Sequence, residues 1–174
     1  RLYNGYVIAD SRNIAPSGWH VPTPAEIVTL TGYIKNSINS NLKESGAAHG
    51  ETADSLTTNG YELSAVAGGQ RSHHNGNFYG IKSFGYLWTS NYSGSNPCWG
   101  FNIYSSSFAN EVGGYGIGIK SGFPLRLIKD DSTNTGIMTD NSGYTYKTVK
   151  IGNQVWMASN LRGTKYRNGD NISV

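Results

Sequence analysis

The sequence predicts an α+β domain, and three observations carry the prediction. A well-capped helix opens early in the chain. Short aromatic strands, parted by Gly, Ser and Asn, fill the middle. A β-hairpin lies near the carboxy-terminal end. The 174 residues are enough for one apolar core with an appendage.

In chain order, Arg1–Ile8 (RLYNGYVI) is a short apolar segment in which Leu2, Tyr3, Tyr6 and Ile8 are candidates for packing. Ala15-Pro16-Ser17-Gly18 is a turn, and Trp19-His20-Val21 leads into the helix. Thr23 is its N-cap, Pro24 its first residue and Glu26 its third, which together make a capping box. Ile27, Leu30 and Ile34 share one face at helical spacing, and Gly32 weakens the last turn. A second short helix is expected over Ser37–Glu44, and strand-like residues return at Tyr61–Val66 until Gly68-Gly69 breaks them. SHHNG at Ser72–Gly76 is a turn. Strands are then expected over Asn77–Ile81, Tyr86–Ser90, Cys98–Tyr104, Tyr115–Lys120 and Phe123–Lys129. Asp130–Gly143 has the composition of a linker.

The hairpin spans Tyr144–Leu161 (YTYKTVKIGNQVWMASNL). Side chains alternate along Thr145–Ile151, Gly152-Asn153 has the chemistry of a tight two-residue turn, and Val155, Trp156 and Met157 begin the return. Burial of Tyr146, Val149, Ile151, Val155, Trp156 and Met157 is worth about 1.5–3 kcal/mol each before entropy costs. A two-stranded hairpin alone is marginal. These six residues therefore form a candidate docking interface that needs a host. The tail, Arg162–Val174, is polar and expected to be extended.

Composition narrows the function. Gly is high at 23, Tyr at 12, and only 14% of residues are charged, the balance of a loop-rich extracellular module. A net charge of +3 without a basic cluster gives no footprint for nucleic acid. No apolar run is long enough to span a bilayer. The single Cys98 rules out an internal disulfide, and its SNPCWG surroundings offer no partner for nucleophilic chemistry. His20, His49, His73 and His74 lack zinc spacing. Asp130-Asp131 is either part of a calcium site or a solvated pair. Trp19, Trp88, Trp99 and Trp156 either pack in the core or stack on sugars. No cofactor is implied. Ser55 and Ser132, within Asp-Ser-Leu and Asp-Ser-Thr, resemble the O-glycosylation motif of Bacteroidota-type secreted proteins. Asn91 and Asn171 fit the N-x-S acceptor pattern.

Several motifs in order resemble the Fibrobacter succinogenes major paralogous domain family. They are Gly18-Trp19-His20-Val21-Pro22-Thr23 with Glu26 and Leu30, Leu42-Lys43-Glu44 with His49, Gly68-Gly69-Gln70-Arg71, Gly76-Asn77-Phe78-Tyr79, Gly85-Tyr86-Leu87-Trp88-Thr89-Ser90 and Arg126-Leu127-Ile128-Lys129-Asp130. The resemblance implies a C-type lectin-like fold, similar also to that of formylglycine-generating enzymes. Those enzymes need a cysteine pair that one cysteine does not provide. The calcium motif of sugar-binding lectins has its nearest counterpart in Ser95-Asn96-Pro97-Cys98, which lacks the carboxylate. Leu127 stands where the family often has a cysteine. Val149–Leu161 resembles the family's amino-terminal motif, yet here it comes last. Circular permutation, a slice of a tandem array, or complementation of a neighbouring subunit each explain that order.

The expectation is a lectin-like core over 1–130 lacking its first strands, a linker over 131–143, and a complementing hairpin with tail over 144–174. Because the chain opens in mid-motif at Arg1, the expected state is a processed chain whose vacancy accepts a neighbour's hairpin. The expected function is a non-enzymatic subunit of an extracellular filament or cell-surface assembly whose partners are copies of itself. The alternative is a secreted glycan-binding or adhesive module with surface glycans as partners.

Overall fold

The computed structural model describes residues 1–34, 68–81, 84–90, 100–104, 118–133 and 135–173. The second helix expected over Ser37–Glu44, the strand over Tyr61–Val66, and Cys98 and Trp99 lie outside these residues. The described elements are β1 (Tyr3–Asn4), α1 (Gly5–Ala9), β2 (Trp19–His20), α2 (Pro24–Ile34), β3 (Gly68–Arg71), β4 (Phe78–Ile81), β5 (Phe84–Trp88), β6 (Gly100–Tyr104), β7 (Gly122–Phe123), β8 (Ile128–Lys129), β9 (Ile137–Thr139), β10 (Thr145–Ile151) and β11 (Gln154–Met157). Few helices and mostly antiparallel short strands make this an α+β fold. One sheet runs β1-β7-β3-β5-β6 with β4 on β3, and the other runs β2-β8-β11-β10-β9.

Helix α2 begins as the capping box requires. The Glu26 amide donates to Thr23 Oγ1 at 3.2 Å, and the Thr23 amide donates back to Glu26 Oε2 at 2.7 Å. Two of the orphan donors of the first turn are thus met by side chains. Ile27 and Leu30 are buried on the face the spacing selects.

The β10–β11 hairpin closes through Gly152 and Asn153, with Ile151 opposite Gln154. Only Gly152 takes a positive φ (59°), the φ pattern of a II′ turn, so Asn153 is spared the left-handed region. The second sheet is covered on both faces. Val149, Trp156 and Ile128 lie side by side across three strands on one face. Helix α2 sits over that face, because Gln154 Nε2 donates to the Glu26 carbonyl at 3.0 Å. On the other face Tyr146, Val155 and Met157 join the main core with Tyr3, Trp88, Phe123, Leu125 and Leu127.

Several expectations change in the structure. The strand expected over Phe123–Lys129 is split into β7 and β8, with residues 124–127 in no strand, and residues 119–120 of the strand expected over Tyr115–Lys120 form a turn. Arg1–Ile8, expected as a short apolar segment, consists of β1 followed by a short helix capped by Asn4, whose Oδ1 accepts from the Val7 amide at 3.2 Å. The strand that Gly68-Gly69 is expected to end lies outside the described residues, but the pair itself opens β3, and Gly69 adopts φ 65° where a Cβ would stand 2.4 Å from the Tyr79 carbonyl oxygen, so only glycine fits. The segment read as a linker contains β9, which pairs with β10 through Met138 opposite Tyr146.

Thr23→Ala is expected to cost about 0.5–2 kcal/mol, the usual loss when a capping acceptor is removed. Reversible denaturant unfolding measures it, and a change indistinguishable from zero counts against the box as the anchor of α2.

Candidate functional site

The candidate site is the seam where residues 137–173 meet the rest of the chain. Leu125–Ile128 supplies the receiving edge. The Met157 amide donates to the Leu127 carbonyl at 3.1 Å and the Leu161 amide to the Leu125 carbonyl at 2.8 Å. Side chains interlock at the same place. Val155, Met157 and Leu161 are fully buried, and Trp156 is 1% exposed. The Trp156 Nε1 donates to Gln154 Oε1 at 3.2 Å while the Gln154 amide group holds α2, so the indole is bridged to the helix.

A charge lies in this seam. Arg126 is 1% exposed. Its Nε donates to Asn160 Oδ1 at 2.7 Å and its Nη1 to the Ala158 carbonyl at 3.1 Å. A buried guanidinium needs such acceptors, since an unmet charge in the interior costs several kcal/mol. Both of these acceptors lie just past the end of β11.

Further along, Asp140 organises the approach to β10. Its carboxylate accepts from the Ser142 and Tyr144 amides and from the Tyr146 hydroxyl, the last at 2.6 Å. Burial, and then the Asp140 hydrogen bond, raise the Tyr146 pKa well above its ordinary value, so the phenol stays protonated and donates. The same hydroxyl accepts from the Arg162 amide at 2.9 Å. Beyond it the tail crosses back to the start of the chain. Tyr3 Oη donates to the Gly163 carbonyl at 2.8 Å. Arg167 donates from Nε to the Ala15 carbonyl and from Nη2 to the Pro16 carbonyl.

All six residues expected to dock, Tyr146, Val149, Ile151, Val155, Trp156 and Met157, are buried in the chain's own body. The tail is not a solvated extension, because Tyr166 and Ile172 are buried. Of the candidate glycosylation positions, Ser55 and Asn91 lie outside the described residues. Ser132 is half-buried in a turn where Asp131 Oδ1 accepts from the Thr133 amide, and Asn171 is exposed. Trp19, Trp88 and Trp156 are buried and so unavailable to a sugar. His73 and His74 lie ring against ring at 3.8 Å, with His73 Nδ1 at 3.0 Å from Ser121 Oγ. Among the described residues no group of three or more His, Cys, Asp or Glu could hold a metal ion, and no helix is long and apolar enough to cross a membrane.

Arg126, Asn160, Gln154 and Arg167 have no assigned role in the sequence reading. The signal for Arg126 is a lone cation within Leu125–Ile128, where an apolar run has no other reason to hold one.

A second ionic group stands where the chain leaves β8. His20 Nδ1 is 2.6 Å from Asp130 Oδ1 and its Nε2 is 2.9 Å from Glu26 Oε1. Burial by itself lowers the imidazole pKa, but the hydrogen bonds to Asp130 and Glu26 outweigh it, and the net shift is upward. The stabilisation is therefore fully present below about pH 6.5, where an unfolded-chain histidine is charged. It fades as pH rises through the higher folded value. Stability of the native chain should fall across this window, and that slope should flatten in His20→Gln. An equal slope in both proteins, read from unfolding midpoints, would show that the imidazole is not clasped.

Neither curated proteins nor solved structures yield a match. The Fibrobacter succinogenes major domain model matches residues 1–129, the part of the chain that ends at β8 and receives the hairpin, and the chain belongs to that family.

Proposed function

We propose that the chain is a non-enzymatic structural subunit of an extracellular filament or surface assembly. Copies join head to tail when residues 137–173 of one copy dock on the Leu125–Ile128 edge of the next. On this reading the fold is C-type lectin-like, with the family's amino-terminal motif moved to the carboxy-terminal side. The observation that carries the reading is the contrast between the docked segment and its tether. The segment brings a set of fully buried side chains and the Arg126 acceptors. It is joined to β8 only by residues 130–136, whose described members are mostly exposed. The described arrangement is the closed one, within a single chain. Exchange keeps every one of its contacts and changes only which copy supplies them. The single cysteine supports the non-enzymatic part, since the enzymes of similar fold use a pair.

The tether sets the balance. β8 and β9 stand three strand spacings apart, about 14 Å, and seven residues reach up to about 23 Å. Deleting residues 132–135 leaves about 10 Å of reach, too little for docking at home. The shortened chain is expected to form open-ended polymers, visible by light scattering and negative-stain microscopy, while the native chain polymerises only when concentrated. A shortened chain that stays folded and monomeric overturns the exchange.

A second reading, a glycan-binding or adhesive module, is favoured by the exposure of Phe78, Tyr79 and Ile81 on β4. Binding to a glycan array by monomer under conditions where no polymer forms supports it over the first.

A further inference from the structure

We infer that the cavity between β1, the β3–β7 seam and the tail is a binding site for an anionic sugar unit, one bearing a carboxylate or a sulfate. The cavity measures about 470 Å³, within the range of small-ligand sites. It is built by a row across three strands, Asn4 on β1 opposite Gly122 on β7 opposite Arg71 on β3. Side chains opposite one another in a sheet share a face. Gly122, in the middle, has none. A Cβ there would come within 3.1 Å of the Arg71 Cβ and 3.3 Å of the Leu2 Cβ, so the missing side chain keeps the gap open.

The lining is cationic. Arg1, Arg71 and Lys120 are among the lining residues, and no Asp or Glu is among the described ones. Among the described residues none of the three has a hydrogen bond or an ion pair. Lys120 is held in place by its turn, because the Gly5 amide donates to the Ile119 carbonyl at 2.7 Å, beside Asn4. Cationic residues gathered around one gap favour a bound oxyanion, which accepts charge-assisted hydrogen bonds from them. Asn4 adds a neutral donor. Its Oδ1 is committed to capping α1, which orients the amide Nδ2 away from that bond. Leu2, Val7 and Ile172 give an apolar wall for a ring face. Cations for one substituent, an amide donor for hydroxyls and an apolar wall suit a uronate or a sulfated sugar better than a bare inorganic ion, which would leave most of the volume unfilled.

The sugar half of this assignment rests on the glycan-binding reading, and the anion half rests on the cavity alone. Titration calorimetry of the full chain with sodium glucuronate, glucose 6-sulfate, glucose and inorganic sulfate separates the two. Glucuronate and glucose 6-sulfate are expected to bind, more weakly as salt rises. Glucose is expected not to bind. Arg71→Gln and Lys120→Gln should each weaken binding about tenfold, the loss of one charge-assisted contact. Both side chains are exposed, so the unfolding midpoints should be unchanged. Glucose binding as tightly as glucuronate overturns the anion assignment but leaves the glycan reading intact. Inorganic sulfate binding as tightly as glucose 6-sulfate overturns the sugar assignment. Undiminished glucuronate binding in the Arg71→Gln, Lys120→Gln double variant overturns this location.

Discussion

The fold depends on how one buried charge is met. Arg126 sits in the middle of an apolar run at the core, and two of the oxygens that receive its guanidinium belong to residues 158 and 160. Desolvating a guanidinium is tolerable only with acceptors in place. Two of the acceptors for this cation of the family-matched part, which ends at residue 129, therefore come from a segment outside that match. Hydrophobic burial at the seam is large but tolerant of small shifts. The Arg126 bonds are directional, so they select the register in which Met157 meets Leu127 and Leu161 meets Leu125.

From that register the rest follows outward. With Trp156 opposite Ile128, β11 presents Gln154 to α2 and Val155 and Met157 to the core, so one strand serves two layers. β10 inherits its position from β11, and β9 from β10, where Asp140 turns the chain and holds Tyr146. The tail then fastens the start of the chain through Arg167 at residues 15 and 16 and through Gly163 at Tyr3. Each layer is fixed by the one before, which is why a segment at the end of the sequence lies at the centre of the structure.

Features governed by local rules were legible in the sequence. The capping box at Thr23 and Glu26 is determined within one helical turn, and the Gly152-Asn153 turn within one hairpin, so both stand where the residues put them. The six docking residues were legible as apolar surface in need of a host. Features set by distant partners were not legible. β9 has Ile137 at 75% exposure on one side and Met138 buried on the other, a pattern of three residues that only β10 makes into a strand. Gly69 reads as a breaker from its residue type alone, yet β4 passes so close that β3 needs a glycine there. The cavity at Gly122 was invisible for the same reason. It arises from a gap in a row whose members are about 50 and 120 residues apart in sequence.

The bonds between Tyr3 and Gly163, and between Arg167 and residues 15 and 16, have a kinetic consequence. Contacts that span almost the whole sequence form late, because a long loop must close before they return any energy. During synthesis the Leu125–Ile128 edge therefore stays uncovered until residues 137–173 have been made. On the exchange reading proposed above, the chain's own segment would compete during that wait with segments displayed by neighbouring copies. The tethered segment acts at an effective concentration in the millimolar range, set by the short connection. If copies exchange segments, crowding them at one surface would raise the rival concentration towards the same range, and the place of synthesis would then bear on which segment arrives first.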